Sequence, residues 1–134
     1  MSRAVLDASA VLALILNEPG SERVDALLDE LELGSGVEVF ISSVNWCEVL
    51  TRMQREKLNL SGERLAAVLS GVELVPFARS DAEAAATYSN FSRALSLGDR
   101  SCLALAKSNQ ATAWTAERLW SQCNLDVSIE LIRR

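Results

Sequence analysis

The chain has 134 residues, 49% of them hydrophobic and 23% charged, which suits one folded domain over residues 1–134 and argues against a disordered protein. It contains no histidine, which excludes Ser-His-Asp and Cys-His nucleophile systems, paired-histidine ribonuclease chemistry and histidine-ligated zinc or haem, and leaves acid–base or metal chemistry mainly to carboxylates. The formal net charge is −5, but residues 18–38 hold seven acids and one base, so the rest of the chain is nearly neutral and bulk charge does not exclude a nucleic-acid partner.

The first half of the sequence alternates apolar runs with helical patterns. A short apolar run over residues 4–6 ends at Asp7, and Pro19-Gly20 separates the two helical patterns that follow. The predicted elements are, in order, a strand over 4–6, helices over 9–16 and 21–33, a strand over 37–41, and a helix through Met53 that Ser42 or Ser43 can cap.

The second half continues the same alternation. Ser61 can cap a helix that runs to about residue 70, and Ser80-Asp81-Ala82-Glu83 matches a capping box that opens a helix to about Ala94. Strands alternating with helices predict an α/β fold with a mostly parallel sheet of four to five strands and helices on both faces. The other predicted elements are a strand over 72–75, a helix over 100–108 preceded by Gly98-Asp99, a strand over 111–115, a short helix over 116–122 and a last strand over 127–132.

The cysteines and the apolar N-terminal stretch indicate the compartment. Cys47, Cys102 and Cys123 are far apart and form no CxxC motif, so we expect small buried apolar side chains in a reducing cytoplasm. The apolar stretch over residues 4–16 is too short to span a bilayer, and its Asp7 is atypical of a signal-peptide core. We therefore expect a cytoplasmic protein with no membrane partner.

Four acids fall near places where predicted strands end. Asp7 ends the first strand, Glu48 lies within two turns of the helix after the second, and Glu117 lies two residues beyond the fourth. Asp99 follows a loop that can bring it to the same edge. Because ligand sites in open α/β sheets form beyond the carboxyl ends of the strands, we expect these carboxylates to converge. Such a cluster repels itself without a divalent cation, and Mg²⁺ or Mn²⁺ prefers oxygen ligands.

Each of these acids also has an ordinary structural interpretation. Asp7 and Asp99 are well placed to cap helices, and Glu117 suits a first helical turn, where the helix dipole favours an acid. Glu48 is harder to explain in this way, because residues 46, 47, 49 and 50 are apolar and a carboxylate buried among them is costly without a partner. Position alone leaves both interpretations open.

Taken together, four segments resemble the PIN-domain family, and most closely its VapC-type toxins, the ribonuclease halves of toxin–antitoxin pairs. The most specific segment is Leu-Ser-Leu-Gly-Asp-Arg at 95–100, whereas Asp-x-Ser alone is a common pattern. The resemblance covers essentially the whole chain, and the segments that carry it are, in order, Val5-Leu6-Asp7-Ala8-Ser9-Ala10, Asn45-Trp46-Cys47-Glu48-Val49, Leu95-Ser96-Leu97-Gly98-Asp99-Arg100 and Trp114-Thr115-Ala116-Glu117-Arg118-Leu119-Trp120.

The resemblance implies an α/β/α fold and a Mg²⁺-dependent endoribonuclease. Its substrate would be structured RNA such as transfer or ribosomal RNA, cut to leave 5′-phosphate and 3′-hydroxyl ends. By the same resemblance, Asp7 and Asp99 are the principal ligands of Mg²⁺, or of Mn²⁺ in its place, and Glu48 completes the acidic pocket. Ser9 and Thr115 would support ligands or substrate through their hydroxyls.

One position departs from the family, and the resemblance also implies partners. The fourth acid of the family is normally aspartate, whereas this chain has Glu117, whose extra methylene moves the carboxylate. The implied partners are a cognate antitoxin, with a segment lying in a groove of the toxin, and a second copy of the toxin in a homodimer. The apolar helices over 8–16 and 44–53 could line that groove or could simply be core helices.

The basic residues nearest the acids are candidate RNA phosphate contacts. An ordinary solvated helix face explains them equally well. The candidates are Arg52, Arg55 and Lys57, just past Glu48, and Arg100 and Arg118, which directly follow Asp99 and Glu117.

Two other functions remain open on the sequence. In an aspartyl-phosphate phosphotransferase of the haloacid-dehalogenase type, Asp7 would be the nucleophile, but Ser9 stands where that chemistry normally has a second acid. In a non-catalytic PIN-like binding module, partner binding would persist without cleavage, and Glu117 is the residue that favours this alternative.

Overall fold

The fold is that of a computed structural model, which describes residues 2–58 and 62–134. The predicted cap at Ser61 lies outside the described residues. The strands are β1 (Arg3–Leu6), β2 (Glu38–Ser42), β3 (Glu73–Val75), β4 (Thr112–Thr115) and β5 (Ile129–Leu131). The helices are α1 (Ala8–Ile15), α2 (Ser21–Glu32), α3 (Ser43–Arg55), α4 (Gly62–Val68), α5 (Arg79–Thr87) and α6 (Leu97–Ser108), with 3₁₀ turns at Tyr88–Asn90 and Arg118–Gln122.

The five strands form one parallel sheet in the order β3-β2-β1-β4-β5. From β1 the chain winds outward through β2 to β3, then returns to the other side of β1 with β4 and ends at β5. The direction of winding therefore reverses at β1, between its neighbours β2 and β4. Such a reversal opens a crevice at the carboxyl ends of β1 and β4. Asp7 directly follows β1, and Thr115 ends β4.

Helices cover both faces of the sheet, and alternate residues of β1 face opposite sides. Ala4 and Leu6 pack in a core with side chains of α1, α2, α3 and α4, whereas Val5 packs in a second core with α5 and α6. Strands β1 and β2 are apolar along most of their length because both of their faces are buried. The α/β prediction, with a parallel sheet and helices on both faces, is confirmed.

Two helix boundaries near the acids differ from the prediction. The helix predicted over 100–108 begins at Leu97, because Ser96 rather than Asp99 is its N-cap. The helix predicted to open with Ser80 begins at Arg79, and the Asp81 carboxylate accepts a hydrogen bond of 2.8 Å from the N–H of Ala78. That helix ends at Thr87 rather than Ala94, since the chain continues in the 3₁₀ turn.

The cysteine prediction is correct for one residue and wrong for another. Cys102 is fully buried in the core of α6, and Cys123 is half-buried. Cys47, however, lies on an exposed face of α3 and is not a core side chain. Helices α1 and α3, considered above as lining a partner groove, both contribute residues to the core. No helix in the described ranges has the length and apolar character needed to cross a membrane.

Candidate functional site

A cavity of about 450 Å³ lies at the carboxyl ends of the strands, beside the crevice between β1 and β4. It brings together side chains from segments more than 100 residues apart in the sequence. All four acids singled out from the sequence line it. The polar and charged residues around it are Asp7, Ser9, Glu18, Asn45, Glu48, Arg52, Ser96, Asp99, Glu117 and Arg133.

Asp7 is the innermost of these carboxylates and is only 3% exposed. It is the N-cap of α1, and its Oδ1 accepts a hydrogen bond of 2.8 Å from the N–H of Ala10. The capping role considered from the sequence is therefore present. Capping is not the only role open to this carboxylate, because the same side chain also lines the cavity.

Two hydroxyls hold Asp7, one from β4 and one from the first turn of α1. Thr115 Oγ1 donates to Asp7 Oδ2 at 2.6 Å, and Ser9 Oγ lies 2.8 and 2.9 Å from the two carboxylate oxygens. The backbone fixes both hydroxyls, since the N–H of Ala116 donates to Ser9 Oγ and the N–H of Glu117 donates to Thr115 Oγ1, each at 2.9 Å. Ser9 and Thr115 therefore orient the Asp7 carboxylate, and the support of ligands or substrate expected of them remains a prediction.

Burial strongly perturbs the pKa of Asp7. It raises the pKa of the carboxyl from 3.8 to about 7, although hydrogen bonds from Thr115, the Ala10 N–H and Ser9 act to lower it. The negative charge of Asp99 adds a smaller upward effect. A buried, hydrogen-bonded carboxylate that titrates near neutrality is common at functional sites. A positive charge in the cavity would favour its ionised form.

Glu48 is held by α3 and by the first turn of α6. Asn45, one helical turn earlier, donates from Nδ2 to Glu48 Oε1 at 2.9 Å and to the carbonyl oxygen of Gly98 at 3.1 Å. A Cβ on Gly98 would collide with the Glu48 carboxylate, so the glycine makes room for it. The sequence argument for Glu48 was partly wrong, because Glu48 lies on an exposed face and not among apolar neighbours. Burial of its carboxyl against this cradle nevertheless raises its pKa, while the hydrogen bond from Asn45 lowers it.

Asp99 lies at the start of α6 in a capping box. Its backbone N–H donates to Ser96 Oγ at 3.1 Å, and its Oδ2 accepts from the N–H of Ser96 at 2.9 Å. Asp99 is thus the third residue of the helix and not its cap. This geometry holds the carboxylate at the cavity edge and involves only one of its oxygens in the capping box.

Glu117 lies two residues beyond the end of β4 and is exposed. It also lines the cavity, although the structure gives its carboxylate no hydrogen-bond partner among the described side chains that would fix its position. The dipole interpretation does not apply, because Glu117 precedes a 3₁₀ turn and not an α-helix. Because no described side chain holds its carboxylate, Glu117 is the least constrained of the four acids.

The donor set suits a hard cation chemically, since it consists of carboxylate oxygens together with an amide oxygen. Asn45 is 1% exposed, and its Oδ1 is buried without a partner in the described part of the chain. The carboxylates share the cavity but do not close on one point. Among the side chains that the structure describes, no three Cys, Asp or Glu are close enough together to hold an ion. The residues fit a divalent cation in type, and binding would require the carboxylates to draw together.

The structure brings only one of the predicted phosphate contacts to the cavity. Arg52 lines it, with its Nε 2.7 Å from Glu56 Oε1 on the same helix. The others are not among the residues that line it: Arg55, Lys57 and Arg118 are exposed elsewhere, and Arg100 is half-buried on α6.

Four polar or charged residues at the cavity were missed by reasoning from the sequence, and one of them, Glu18, was counted there only as part of the acidic segment. Asn45 had a usable signal, because it precedes Glu48 by one helical turn and so shares its face. Ser96 had one as well, since a serine three residues before an aspartate is a capping-box pattern. Arg133 follows the last strand in no recognisable motif, and only the folded chain brings it to the cavity.

Comparison with known proteins is consistent with this architecture. A family model described as PIN domain matches residues 4–122. The fold is similar to the crystal structure of FitAcB from Neisseria gonorrhoeae, with 22% identity, 94% of this chain and 95% of that chain covered, and a TM-score of 0.63. It is also similar to PAE2754 from Pyrobaculum aerophilum, with 18% identity, 97% and 84% coverage and a TM-score of 0.64.

A third similar structure is a toxin–antitoxin complex from Klebsiella pneumoniae, with 19% identity, 85% of this chain and 86% of that chain covered, and a TM-score of 0.62. At these identities the likeness is one of fold. No curated protein matches the sequence at a significant level.

Proposed function

Because this chain belongs to the PIN domain family, we propose that it is a metal-dependent endoribonuclease and the toxin of a toxin–antitoxin pair, acting as one domain. The match confirms the PIN-domain resemblance found in the sequence. Nuclease activity is typical of such proteins. Beyond the family, we propose the metal, the RNA substrate and the roles of individual residues.

One observation supports the proposal most strongly. Asp7, Glu48, Asp99 and Glu117 come from four separate segments and line the same cavity beyond the sheet. Four carboxylates around one cavity repel each other, so the fold bears a cost that a divalent cation would relieve. Burial has already raised the pKa of the deepest of them, Asp7, to about 7.

The four acids of the cavity would have separate roles in phosphodiester hydrolysis. Asp7 and Asp99 would hold Mg²⁺ or Mn²⁺, Glu48 would complete the anionic pocket, and Glu117 would act from its rim. Bound there, the cation would supply Lewis acidity toward the phosphodiester and lower the pKa of an attacking water.

The supporting side chains would act through orientation. Thr115 and Ser9 fix both oxygens of Asp7 through their hydroxyls. Asn45 fixes Glu48 against the first turn of α6. Held carboxylates lose little freedom when substrate binds, which lowers the entropic part of the barrier. Arg52 is placed to contact an RNA phosphate at the cavity edge.

The proposed partners follow from the family and its relatives. FitAcB and the Klebsiella pneumoniae structure are similar in fold over most of both chains, and the second is described as a toxin–antitoxin complex. We infer that this chain has a cognate antitoxin, forms a homodimer and acts on structured RNA such as transfer or ribosomal RNA in the cytoplasm.

The proposal is tested with purified protein and total cellular RNA in Mg²⁺ or Mn²⁺. We expect cleavage that leaves 5′-phosphate and 3′-hydroxyl ends and that is lost in Asp7→Asn and Asp99→Asn. Asp29→Asn, the same change on an exposed face of α2, is the matched control and should cut normally. Undiminished cutting by Asp7→Asn or Asp99→Asn would refute the roles given to these residues.

A non-catalytic binding module is the second candidate. It is favoured by the exposed position of Glu117 and by carboxylates that do not close on one point. A wild-type protein that cuts no RNA in either cation while still binding an antitoxin would establish it. The phosphotransferase is disfavoured because Asp7 is 3% exposed and both its oxygens accept hydrogen bonds. Trapping of phosphorylated Asp7 would restore it.

A further inference from the structure

The cavity carries an unusual balance of charge. Five carboxylates line it, the four discussed above and Glu18, against two guanidinium groups, those of Arg52 and Arg133. An RNA strand carries one negative charge on every phosphate, so the carboxylates repel it wherever no cation intervenes. The two arginines are therefore the groups of the cavity lining that can attract the RNA backbone directly.

Arg133 is held at this cavity by the segment that follows β5. The N–H of Ile132, a residue 2% exposed, donates to the carbonyl oxygen of Thr115 at 2.9 Å. Thr115 is the residue whose hydroxyl donates to Asp7. The segment that carries Arg133 is thus fastened to the same strand end that orients the deepest carboxylate.

The turn between α1 and α2 closes over this segment from the other side. Gly20 has a φ of +97°, and a Cβ at this position would come within 2.8 Å of the Ile132 side chain and carbonyl. The glycine therefore allows a close approach that other residues would prevent. This packing fixes the backbone next to Arg133 before any ligand binds.

The guanidinium of Arg133 is oriented but not strongly bound. Its Nη1 donates to the carbonyl oxygen of Pro19 at 3.2 Å and lies 3.7 Å from Glu18 Oε1. The Arg133 and Glu18 side chains are 33% and 34% exposed, and an ion pair of this length and exposure contributes little stability. The pair can open at small cost when a phosphate competes for the guanidinium.

We propose that Arg133 is an RNA phosphate-binding residue of this cavity, positioned by Glu18 and Pro19 in the absence of substrate. The planar guanidinium fork matches two phosphate oxygens, and an arginine whose backbone is already fixed loses less entropy on binding. Glu18 takes the place that the phosphate will occupy and so weakens RNA binding. This inference rests on the proposed ribonuclease function.

The adjacent residue provides a matched control. Arg134 carries the same side chain, is exposed and does not line the cavity. Arg133→Ala and Arg134→Ala therefore remove the same charge from neighbouring positions. Glu18→Gln removes the partner of Arg133 without removing Arg133, and Arg133→Lys keeps the charge without the fork.

The experiment measures binding of a fluorescein-labelled RNA hairpin by anisotropy in EDTA, over about 50 to 200 mM salt. We expect Arg133→Ala to raise Kd about tenfold and to reduce the salt dependence by about one phosphate contact, with Arg134→Ala close to wild type. Arg133→Lys should keep the salt dependence and bind with intermediate affinity. Glu18→Gln should bind at least as tightly as wild type.

A purely structural ion pair would give a different pattern. Arg133→Ala and Glu18→Gln would then lower the unfolding midpoint alike and weaken RNA binding alike, which would overturn the proposal. Equal binding by Arg133→Ala and Arg134→Ala, or no binding by wild type, would overturn it as well. Cleavage in Mg²⁺ is measured separately. If wild type cuts RNA while Arg133→Ala and Arg134→Ala bind it equally, the role of Arg133 alone is refuted. If wild type cuts nothing, the proposed ribonuclease function is refuted.

Discussion

Replacing Asp7 by asparagine should stabilise the metal-free protein at pH 8 while abolishing its activity. The folded state holds the proton of Asp7 up to about pH 7, whereas the unfolded chain releases it near pH 3.8. Between these values the folded state binds more protons, so wild-type stability falls as pH rises through this range and stays low above it. Asparagine is neutral at every pH and removes this dependence.

The magnitude follows from the pKa shift. A change from 3.8 to about 7 corresponds to roughly 4 kcal/mol of unfolding free energy above pH 7, at about 1.36 kcal/mol for each pKa unit. The amide must donate where Asp7 Oδ2 accepted from Thr115, so the threonine hydroxyl has to turn towards Ser9 Oγ, 3.3 Å away. Losing one such hydrogen bond costs about 1 kcal/mol. We therefore expect a net gain of about 2 to 3 kcal/mol at pH 8.

Urea unfolding in EDTA at pH 5, 6, 7 and 8 measures the effect. The advantage of Asp7→Asn should shrink by about 2 to 3 kcal/mol between pH 8 and pH 5, because wild type regains stability as its carboxyl becomes protonated. The control Asp29→Asn, on an exposed helix face, should follow wild type at every pH. Destabilisation by Asp7→Asn at pH 8, or an advantage independent of pH, would refute the reasoning.

Three further predictions concern the rest of the cavity. Gly98→Ala places a methyl against the Glu48 carboxylate, and we expect at least a tenfold loss of cleavage rate with the fold retained by circular dichroism; normal activity would contradict the cradle. Thr115→Val removes the 2.6 Å hydrogen bond to Asp7, so the pKa of Asp7 should rise further and the acid limb of the pH–rate profile should move to higher pH. The free energy of unfolding should fall by about 1 to 2 kcal/mol. Mg²⁺ at about 100 times its Kd should stabilise wild type by about 2.7 kcal/mol in thermal unfolding but leave Asp99→Asn nearly unchanged, and an equal gain in both would remove Asp99 from the binding site.

The layout of the site could be predicted because it depends on strand ends. The apolar run over residues 4–6 and the β-branched and aromatic residues of 37–41 identify parallel strands, and an acid directly after such a strand must lie at the carboxyl edge of the sheet. This reasoning placed Asp7 correctly. It placed Asp99 only approximately, because the helix begins at Leu97 and the aspartate lies inside its first turn.

What could not be predicted depends on contacts between distant segments. Arg133 reaches the cavity because Ile132 packs against Gly20, and no local pattern connects residues so far apart in the sequence. Glu48 was selected for apolar neighbours, yet the structure exposes its helix face and holds the carboxylate through Asn45 and Gly98. Residue type identified the acid, but only tertiary packing explains why its side chain points where it does.

The position of β1 in the middle of the sheet has a consequence for biosynthesis. β1 emerges from the ribosome first, yet the hydroxyl that steadies its terminal acid belongs to β4, which is translated more than 100 residues later. Parallel pairing at such separation is slow to form, because a long loop must close before any contact rewards it. A nascent chain therefore lacks the assembled pocket, and any activity that depends on the pocket can begin only once synthesis of β4 is complete.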